Sequence, residues 1–454
     1  MPNILATSPI NRLIAKFSIP AIISMLVGAL YNIIDQIFIG NGVEDIAIGA
    51  TTIAFPIVTL CMAIALLCGV GGASNYNIEA GRGQEARARH AAGSALFLML
   101  ACGLAIMSAV LIFLTPILRF CGATDILMPY SQTFAGITAF GLPFLIFTSG
   151  GAHLIRADKN PNYSMACMLS GIVLNAILCP LFIFVFKWGI AGAARATVTG
   201  QMLSAAMVAF YFLKRQKMGL RWRDLRPVWR RIKRVLALGS ASSINQVGIL
   251  VVQILLNNQL ATYGALSVYG AEISVTCAGV VAKVSMLFLG ITIGISQGCQ
   301  PIWGFNYGAQ NYSRVTETYK KAALLCLAIG ALSFSLFQLF PAQIIKMFGV
   351  TSETGVTFAT HYFRIFMLLT FINGLQPMTS GFFTSIGRAK LGIITSVTRN
   401  IVFFAPLIIV LPFLWGIDGI MFAGPIADGA AAIIAISFAL REVKRMDGLA
   451  AAAR

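Results

Sequence analysis

The sequence predicts an all-α polytopic membrane protein whose twelve transmembrane helices form two pseudo-symmetric six-helix bundles. Of its 454 residues 58% are hydrophobic and only 11% are charged, and the mean hydropathy is +0.84. A soluble protein could not bury that much apolar surface. Apolar runs recur along the whole chain, and short motifs that return half a chain later divide these runs into two sets.

Twelve apolar runs mark the predicted spans. A helix needs about 20 residues to cross the hydrocarbon core, and every run is long enough; strands of a membrane barrel would give alternating segments of about 10 residues. The runs lie near 14–40, 50–76, 91–118, 130–154, 163–187, 191–213, 235–260, 268–297, 319–340, 356–382, 392–414 and 418–441. We expect the first to be a retained helix, since no small-residue cleavage site follows it.

The net charge of +18 is concentrated at one end of the predicted spans. With the N-terminus inside, the loops at 81–90 and 213–234 and the C-terminal segment are cytoplasmic, and few basic residues remain outside. This asymmetry is the positive-inside rule, and it places both termini in the cytoplasm. We therefore expect the basic loops to contact anionic lipid headgroups, not nucleic acid. The 213–234 loop, with Trp222 and Trp229 among its arginines, is the candidate for an amphipathic helix.

Two motifs recur with offsets close to half the chain. "FKWGIAG" at 186–192 matches "FLWGIDG" at 413–419, and "TSGGAHLIRADK" at 148–159 matches "TSGFFTSIGRAK" at 379–390. Six spans per repeat give the two halves the same orientation in the membrane. The predicted domains are an N-terminal six-helix bundle at 1–213, a basic cytoplasmic linker at 214–234 and a C-terminal six-helix bundle at 235–454.

Two like-oriented bundles with a cleft between them are typical of transporters that work by alternating access. The sequence has no GxxxxGK[ST] phosphate loop, no catalytic constellation and no metal-spaced histidines. We therefore expect neither an enzyme nor a bound cofactor or metal. An ion gradient remains as the energy source.

Asp35 is an isolated carboxylate in an apolar stretch of the first predicted span. An ionised carboxylate within the membrane costs several kcal/mol unless it meets a partner, water or an ion. Asn32 and Gln36 share its helix face, and Tyr31 lies one turn before it. This group is the candidate site for ion coupling or substrate. The alternative is a structural hydrogen bond between helices.

The second half contains four further charged candidates: Glu272, Lys283, Arg399 and Asp428. Each needs a partner within an apolar run. Either an Arg399–Asp428 pair or a pair of Lys283 with one of the acids would neutralise the charge. A structural and a functional role stay open for these residues.

Six segments carry a family resemblance, in this order: "FSIPAIISMLVGALYNIIDQIFIG", "GVGGASNYNIEAGRG", "LNAILCPLFIF", "GIAGAARAT", "GISQGCQPIWGFNYGAQNY" and "TRNIVFFAPL". Over essentially its whole length the chain resembles the multidrug and toxic compound extrusion (MATE) family, nearest a bacterial DinF-like and MepA-like branch. The resemblance implies the MATE/MOP-type fold in a monomer of the bacterial cytoplasmic membrane. It also implies export of amphipathic, mostly cationic small molecules by antiport against protons or sodium.

By resemblance, Asp35 is the central proton or sodium ligand of the first bundle. The family's span 5 often reads N-x-x-x-D-P, whereas here Asn175 is followed by Cys179 and Pro180. Thr197 matches the hydroxyl position on span 6. The missing second acid favours a proton, because sodium prefers several oxygens and more negative charge. Sodium held by Asp35, Asn175 and Thr197 is the alternative.

A flippase for a lipid-linked saccharide is the alternative function, because related proteins share this architecture. Such a protein needs cations facing its cavity to hold a pyrophosphate, and Lys283, Arg364 and Arg399 are candidates. Loss of drug accumulation on expression in an efflux-deficient host would separate the two functions.

Overall fold

The structure, a computed structural model, describes residues 4–42, 46–348 and 352–452. Within these ranges the side chains at 32, 33, 35–37, 39–42, 46–48 and 271 are not described. The described backbone forms helices joined by short loops, as the all-α prediction requires.

Twelve spans account for nearly all of the described chain, and we number them in chain order. Spans 1–6 are Ile10–Gly42, Ile46–Gly81, Glu85–Ile112, Met128–Ala139 with Leu142–Ala157, Pro161–Val185 and Gly189–Arg215. Spans 7–12 are Trp229–Ala265, Ala271–Gly308, Tyr312–Leu339, Glu353–Phe366 with Thr370–Ser385, 389–414 and 417–452. Short helices at Ile4–Thr7, Leu114–Phe120 and Pro341–Met347 precede or follow spans.

Breaks in three helical stretches decide this count. The two segments of span 4 meet at 52° and those of span 10 at 49°, so each pair crosses once as a bent helix. The helical run from residue 389 to 452 is 64 residues long, about twice what a bilayer needs. It is interrupted at Trp415 and Gly416, where Gly416 has a φ of 57°. Within the described residues the prediction of twelve spans is therefore confirmed.

The helices extend beyond their predicted apolar runs. Most of the added turns lie at the end of the molecule that contains the basic loops at 81–90 and 213–234, which we call the basic end. Span 8 is the clearest case, because its apolar run ends near 297 but its helix continues to Gly308. The added turns contain Trp303 and Asn306, both fully buried. Hydropathy marks only the part of a helix that lies in hydrocarbon, whereas these turns are stabilised by packing against other helices.

The expectation of an amphipathic helix in the basic linker is wrong. Between spans 6 and 7 the chain forms one short 3-10 turn, Trp222–Leu225. The linker is instead docked on the first half. The backbone N–H of Lys217 donates to Asp158, 2.6 Å away, and a Cβ on Gly93 would lie 2.2 Å from the carbonyl oxygen of Asp224.

The two halves pack closely at the basic end. A Cβ on Gly239 of span 7 would lie 1.8 Å from the carbonyl oxygen of Leu67 on span 2. Only glycine permits this backbone approach. The first turns of span 1 cross over as well: Leu13 and Phe17 are buried in one core with Ile295 and Trp303 of span 8. The contact between the halves is therefore built mainly from spans 1, 2, 7 and 8.

Candidate functional site

Spans 5 and 6 bring two of the predicted site residues together. Asn175 is buried, and its Nδ2 donates to the Oγ1 of Thr197 at 3.3 Å. The Thr197 hydroxyl donates in turn to the carbonyl oxygen of Ala193 at 3.0 Å. Since that hydroxyl has only one proton, Asn175 must present its NH₂ group to it. The Oδ1 of Asn175 is buried and has no hydrogen-bond partner among the described side chains.

Two glycines set the distance between these helices. A Cβ on Gly171 would lie 2.5 Å from the carbonyl oxygen of Gly200, and one on Gly200 would lie 2.6 Å from the carbonyl oxygen of Gly171. Gly171 lies one turn before Asn175, so this close approach brings the amide within reach of Thr197. Small residues at such crossings are the usual way in which membrane helices approach closely.

Cys179 lies one turn after Asn175 and is fully buried. Its core cluster contains Ala50, Ile183 and Ala196, and Phe38 of span 1 packs against that cluster. This stretch of span 1 therefore runs beside spans 5 and 6. An acid at the position of Cys179 would lie against this apolar cluster, where its charge is costly unless a cation or a proton neutralises it.

The remaining first-half candidates lie on the same stretch of span 1. Tyr31 is partly exposed. The backbone of Asn32, Asp35 and Gln36 is helical, and their side chains lie outside the described residues. The predicted grouping of Asp35 with Asn175, Cys179 and Thr197 thus stays a prediction.

In the second half the Arg399–Asp428 pair is present. The Nε of Arg399 lies 2.5 Å from the Oδ1 of Asp428, and Asn373 donates to the other carboxylate oxygen at 3.0 Å. Arg399 also donates to the amide oxygen of Asn400, and the Nδ2 of Asn400 donates to the Oδ1 of Asn245. The five side chains join spans 7, 10, 11 and 12 in one largely buried network. Arg399 and Asn400 lie in a π-helical turn, Thr398–Phe404, and such wide turns are frequent at functional sites.

Glu272 and Lys283 lie apart from this network. Both side chains are exposed on span 8, and the alternative pairing of Lys283 with one of the acids does not occur within the described residues. The arrangement satisfies the charges of Arg399 and Asp428 without help from span 8.

A second polar group, which sequence reasoning missed, joins the two halves at the basic end. The carboxylate of Glu79 on span 2 is buried and accepts from Arg234 of span 7 at 2.8 Å and from its neighbour Arg82 at 3.1 Å. Nearby, Arg156 of span 4 donates to Gln297 of span 8 at 3.0 Å. The sequence feature that could have identified Glu79 is its position as a lone acid at the end of an apolar span. Its partner lies 155 residues further on, and no local pattern links the two.

Comparison with known proteins gives a consistent result. The MatE family model matches residues 20–181 and 249–410, once in each half. Multidrug export protein MepA of Staphylococcus haemolyticus (strain JCSC1435) is 24% identical over 97% of this chain and 96% of its own length. MepA of Staphylococcus aureus (strain NCTC 8325 / PS 47) is 22% identical over the same shares.

Solved structures share the fold. A crystal structure of MATE in complex with MaL6 superposes with a TM-score of 0.91 at 24% identity, covering 98% of this chain and 99% of that one. An outward-facing multidrug resistance MATE family transporter of the MOP superfamily has a TM-score of 0.90 at 24% identity over 98% of both chains. A MOP superfamily transporter from Pyrococcus furiosus, for which a reversed polarity of the binding pocket suggests a different function, scores 0.90 at 23% identity over 98% of both chains. The family model covers more than half of the sequence, and this chain therefore belongs to the MatE family.

Proposed function

We propose that this protein is a secondary active multidrug exporter. It moves amphipathic, mostly cationic organic compounds out of the cell by alternating access, as an antiporter driven by protons and not by sodium. The main support for the efflux function is the match to MepA exporters, which extends along almost the whole of both chains. Because one fold hosts different substrates, the coupling and the substrate must be argued from the site.

The buried amide of Asn175 supports coupling in the first half. Within the described part of the chain its Oδ1 is an unsatisfied acceptor, and such an atom costs about 1–3 kcal/mol unless a donor or a cation approaches it. A protonated carboxyl group from Asp35 would be such a donor, and deprotonation would remove it. Sodium would also satisfy the oxygen, but with Cys179 in place of an acid it would meet at most one negative charge there.

The packing at the basic end supports alternating access. Glu79, Arg234, Arg156 and Gln297 join the halves with polar contacts, and Gly239 allows backbone contact. We call these contacts the cytoplasmic gate, because ion pairs and hydrogen bonds between two bodies can be exchanged for water when the bodies separate. We infer that the described conformation is the one closed at the cytoplasmic side.

Orientation and organisation complete the proposal. Both termini lie in the cytoplasm, 1–213 and 235–454 are the moving bundles, and 214–234 is the linker between them. The protein works as a monomer in contact with membrane lipids. The flippase alternative is weaker, because Arg399, one of its three candidate cations, is already neutralised by Asp428.

Transport by the purified protein in liposomes tests the proposal directly. A pH gradient and a sodium gradient are imposed separately, and uptake of a cationic dye is followed in each case. We expect uptake to follow the pH gradient alone. Uptake driven by sodium with no response to pH would contradict proton coupling, and absence of dye transport under both gradients would contradict multidrug efflux.

Removing the positive charge of Arg234, the span 7 residue of the gate, should favour separation of the two halves at the basic end. Arg234 and Arg82 share the Glu79 carboxylate and are equally exposed, at 44%, but only Arg234 belongs to the other half. We expect Arg234→Gln to increase the open population about two- to fivefold, as for a partly exposed ion pair. Hydrogen–deuterium exchange at 71–81 and 229–239 measures it. Arg82→Gln is the matched control, and equal acceleration by both variants would contradict a role as a gate.

Restoring an acid at the position of Cys179 should create a response to sodium. The side chain of Cys179→Asp would lie against the same apolar cluster, a cation would stabilise its charge, and together with Asp35 it would supply two carboxylates. We expect a lower midpoint of thermal unfolding that sodium raises again, measured in detergent at constant ionic strength. Cys179→Asn is the neutral control. A sodium-dependent midpoint in the unchanged protein would contradict the proton assignment.

A further inference from the structure

An amphipathic groove lies at the basic end of the molecule, beside the start of span 1. Its volume is about 680 Å³. Arg12, Lys16, Ala15 and Ile19 of span 1 line it on one side, and Asn162 at the start of span 5 lines it on the other. Neither the proposed ion coupling nor the gate uses these residues.

Two cations on the same helix face give the groove an uncompensated charge. Arg12 and Lys16 are four residues apart, a spacing at which like charges destabilise a helix. Both side chains are exposed. Within the described part of the chain, neither forms an ion pair. An anion bound between them would relieve the repulsion.

The polarity of the groove changes along the helix axis. Beyond the two cations, Ala15 and Ile19 are apolar and exposed, Ile19 by 55%, and Ile23 one turn further on is 38% exposed. With a rise of 1.5 Å per residue, Ile23 lies about 10 Å deeper than Lys16. A charged end followed by an apolar strip matches a phospholipid, whose phosphate lies at the interface and whose acyl chain runs into the hydrocarbon.

The groove adjoins the contact between the two halves. Ser8, which also lines it, has its carbonyl oxygen 2.6 Å from Nη2 of Arg314, a donor at the start of span 9. Asn162 provides an exposed amide on the opposite side. An occupant would therefore contact spans 1 and 5 of the first half beside a segment that is anchored on the second.

We propose that this groove binds one anionic phospholipid of the cytoplasmic leaflet. Its phosphate contacts Arg12 and Lys16, and one acyl chain covers Ala15 and Ile19. A soluble anion would leave the apolar strip uncovered, and a cationic drug would be repelled by the two basic residues. This inference depends on the proposed orientation of the membrane and not on transport, so binding can be tested in detergent whether or not the protein exports drugs.

Native mass spectrometry of the full-length protein tests the proposal. Dioleoyl phosphatidylglycerol is titrated against dioleoyl phosphatidylcholine. We expect one tightly bound phosphatidylglycerol that Arg12→Gln/Lys16→Gln weakens about 10- to 30-fold, since each basic residue contributes about 1 kcal/mol. Ala15→Phe, which fills the groove and keeps both charges, should displace the same lipid and thereby separates a built site from a charge effect.

The matched control is Arg226→Gln/Arg230→Gln, which removes two exposed arginines from the same end of the molecule. Equal loss of lipid in this control would overturn the proposal in favour of diffuse surface charge. Displacement of the lipid by millimolar inorganic phosphate would overturn it in favour of a soluble anion. Retained binding in both groove variants, with normal elution on size exclusion, would place the lipid elsewhere.

Discussion

Asp35→Asn is expected to abolish dye uptake driven by a pH gradient, down to the level of protein-free liposomes. Asparagine keeps the size and hydrogen-bonding capacity of the side chain but cannot take up or release a proton. With Cys179 in place of a second acid, no other carboxylate on this part of spans 1 and 5 could replace it. Uptake in proteoliposomes under a fixed pH gradient provides the measurement.

The control for this variant is Asp125→Asn. Asp125 lies in a loop, its side chain is 96% exposed, and the substitution removes the same charge outside the membrane. Its uptake should equal that of the unchanged protein. Equilibrium binding of the dye shows whether Asp35→Asn remains folded and able to bind. Full coupled uptake by a well-folded Asp35→Asn would exclude Asp35 from coupling. Its remaining role would then be a structural hydrogen bond between helices.

Asp428→Asn is expected to destabilise the protein by about 3 kcal/mol. The substitution leaves Arg399 as an unpaired cation among spans 7, 10, 11 and 12, and an uncompensated buried charge costs about that much. Arg399→Met/Asp428→Leu should recover most of the loss, because replacing a buried ion pair with apolar groups is often neutral. The midpoint of thermal unfolding in detergent measures both.

This comparison also separates the two roles left open for the pair. Lys283→Gln, which removes an exposed charge from the same half, serves as the control for charge. A stable double variant with normal dye uptake would make the network structural, since it holds four helices together. A stable double variant that no longer transports would assign the pair a part in the transport cycle. If Asp428→Asn matches the control in stability, the burial argument is wrong.

Much of the architecture could be predicted from local patterns. Span positions follow from runs of apolar residues, because every helix must cover the same thickness of hydrocarbon. The repeat follows from motifs such as "FKWGIAG" and "FLWGIDG", and the family model matches once in each half. The contact between Asn175 and Thr197 could be anticipated only through the family resemblance, because the two residues lie on different helices.

Other features depend on contacts between residues far apart in the chain. Packing at the basic end produces the pairing of Glu79 with Arg234 and the extension of span 8 to Gly308. A hydropathy profile does not detect such packing. The failed prediction for the linker has the same cause. Its arginines and tryptophans match an amphipathic helix, but Lys217 and Asp224 dock on the first half, and those contacts outweigh the helical propensity of the segment.

Composition and the internal repeat thus predicted a membrane protein of two six-helix halves with a common orientation, because the bilayer imposes its thickness and its charge asymmetry on any chain that crosses it. The partner of each polar group was settled by the fold. Asp428 could have met either of two cations, Arg399 or Lys283, and the crossing of spans 11 and 12 selects Arg399. The choice among several neutralising partners depends on distances of a few ångströms, which only packed helices define.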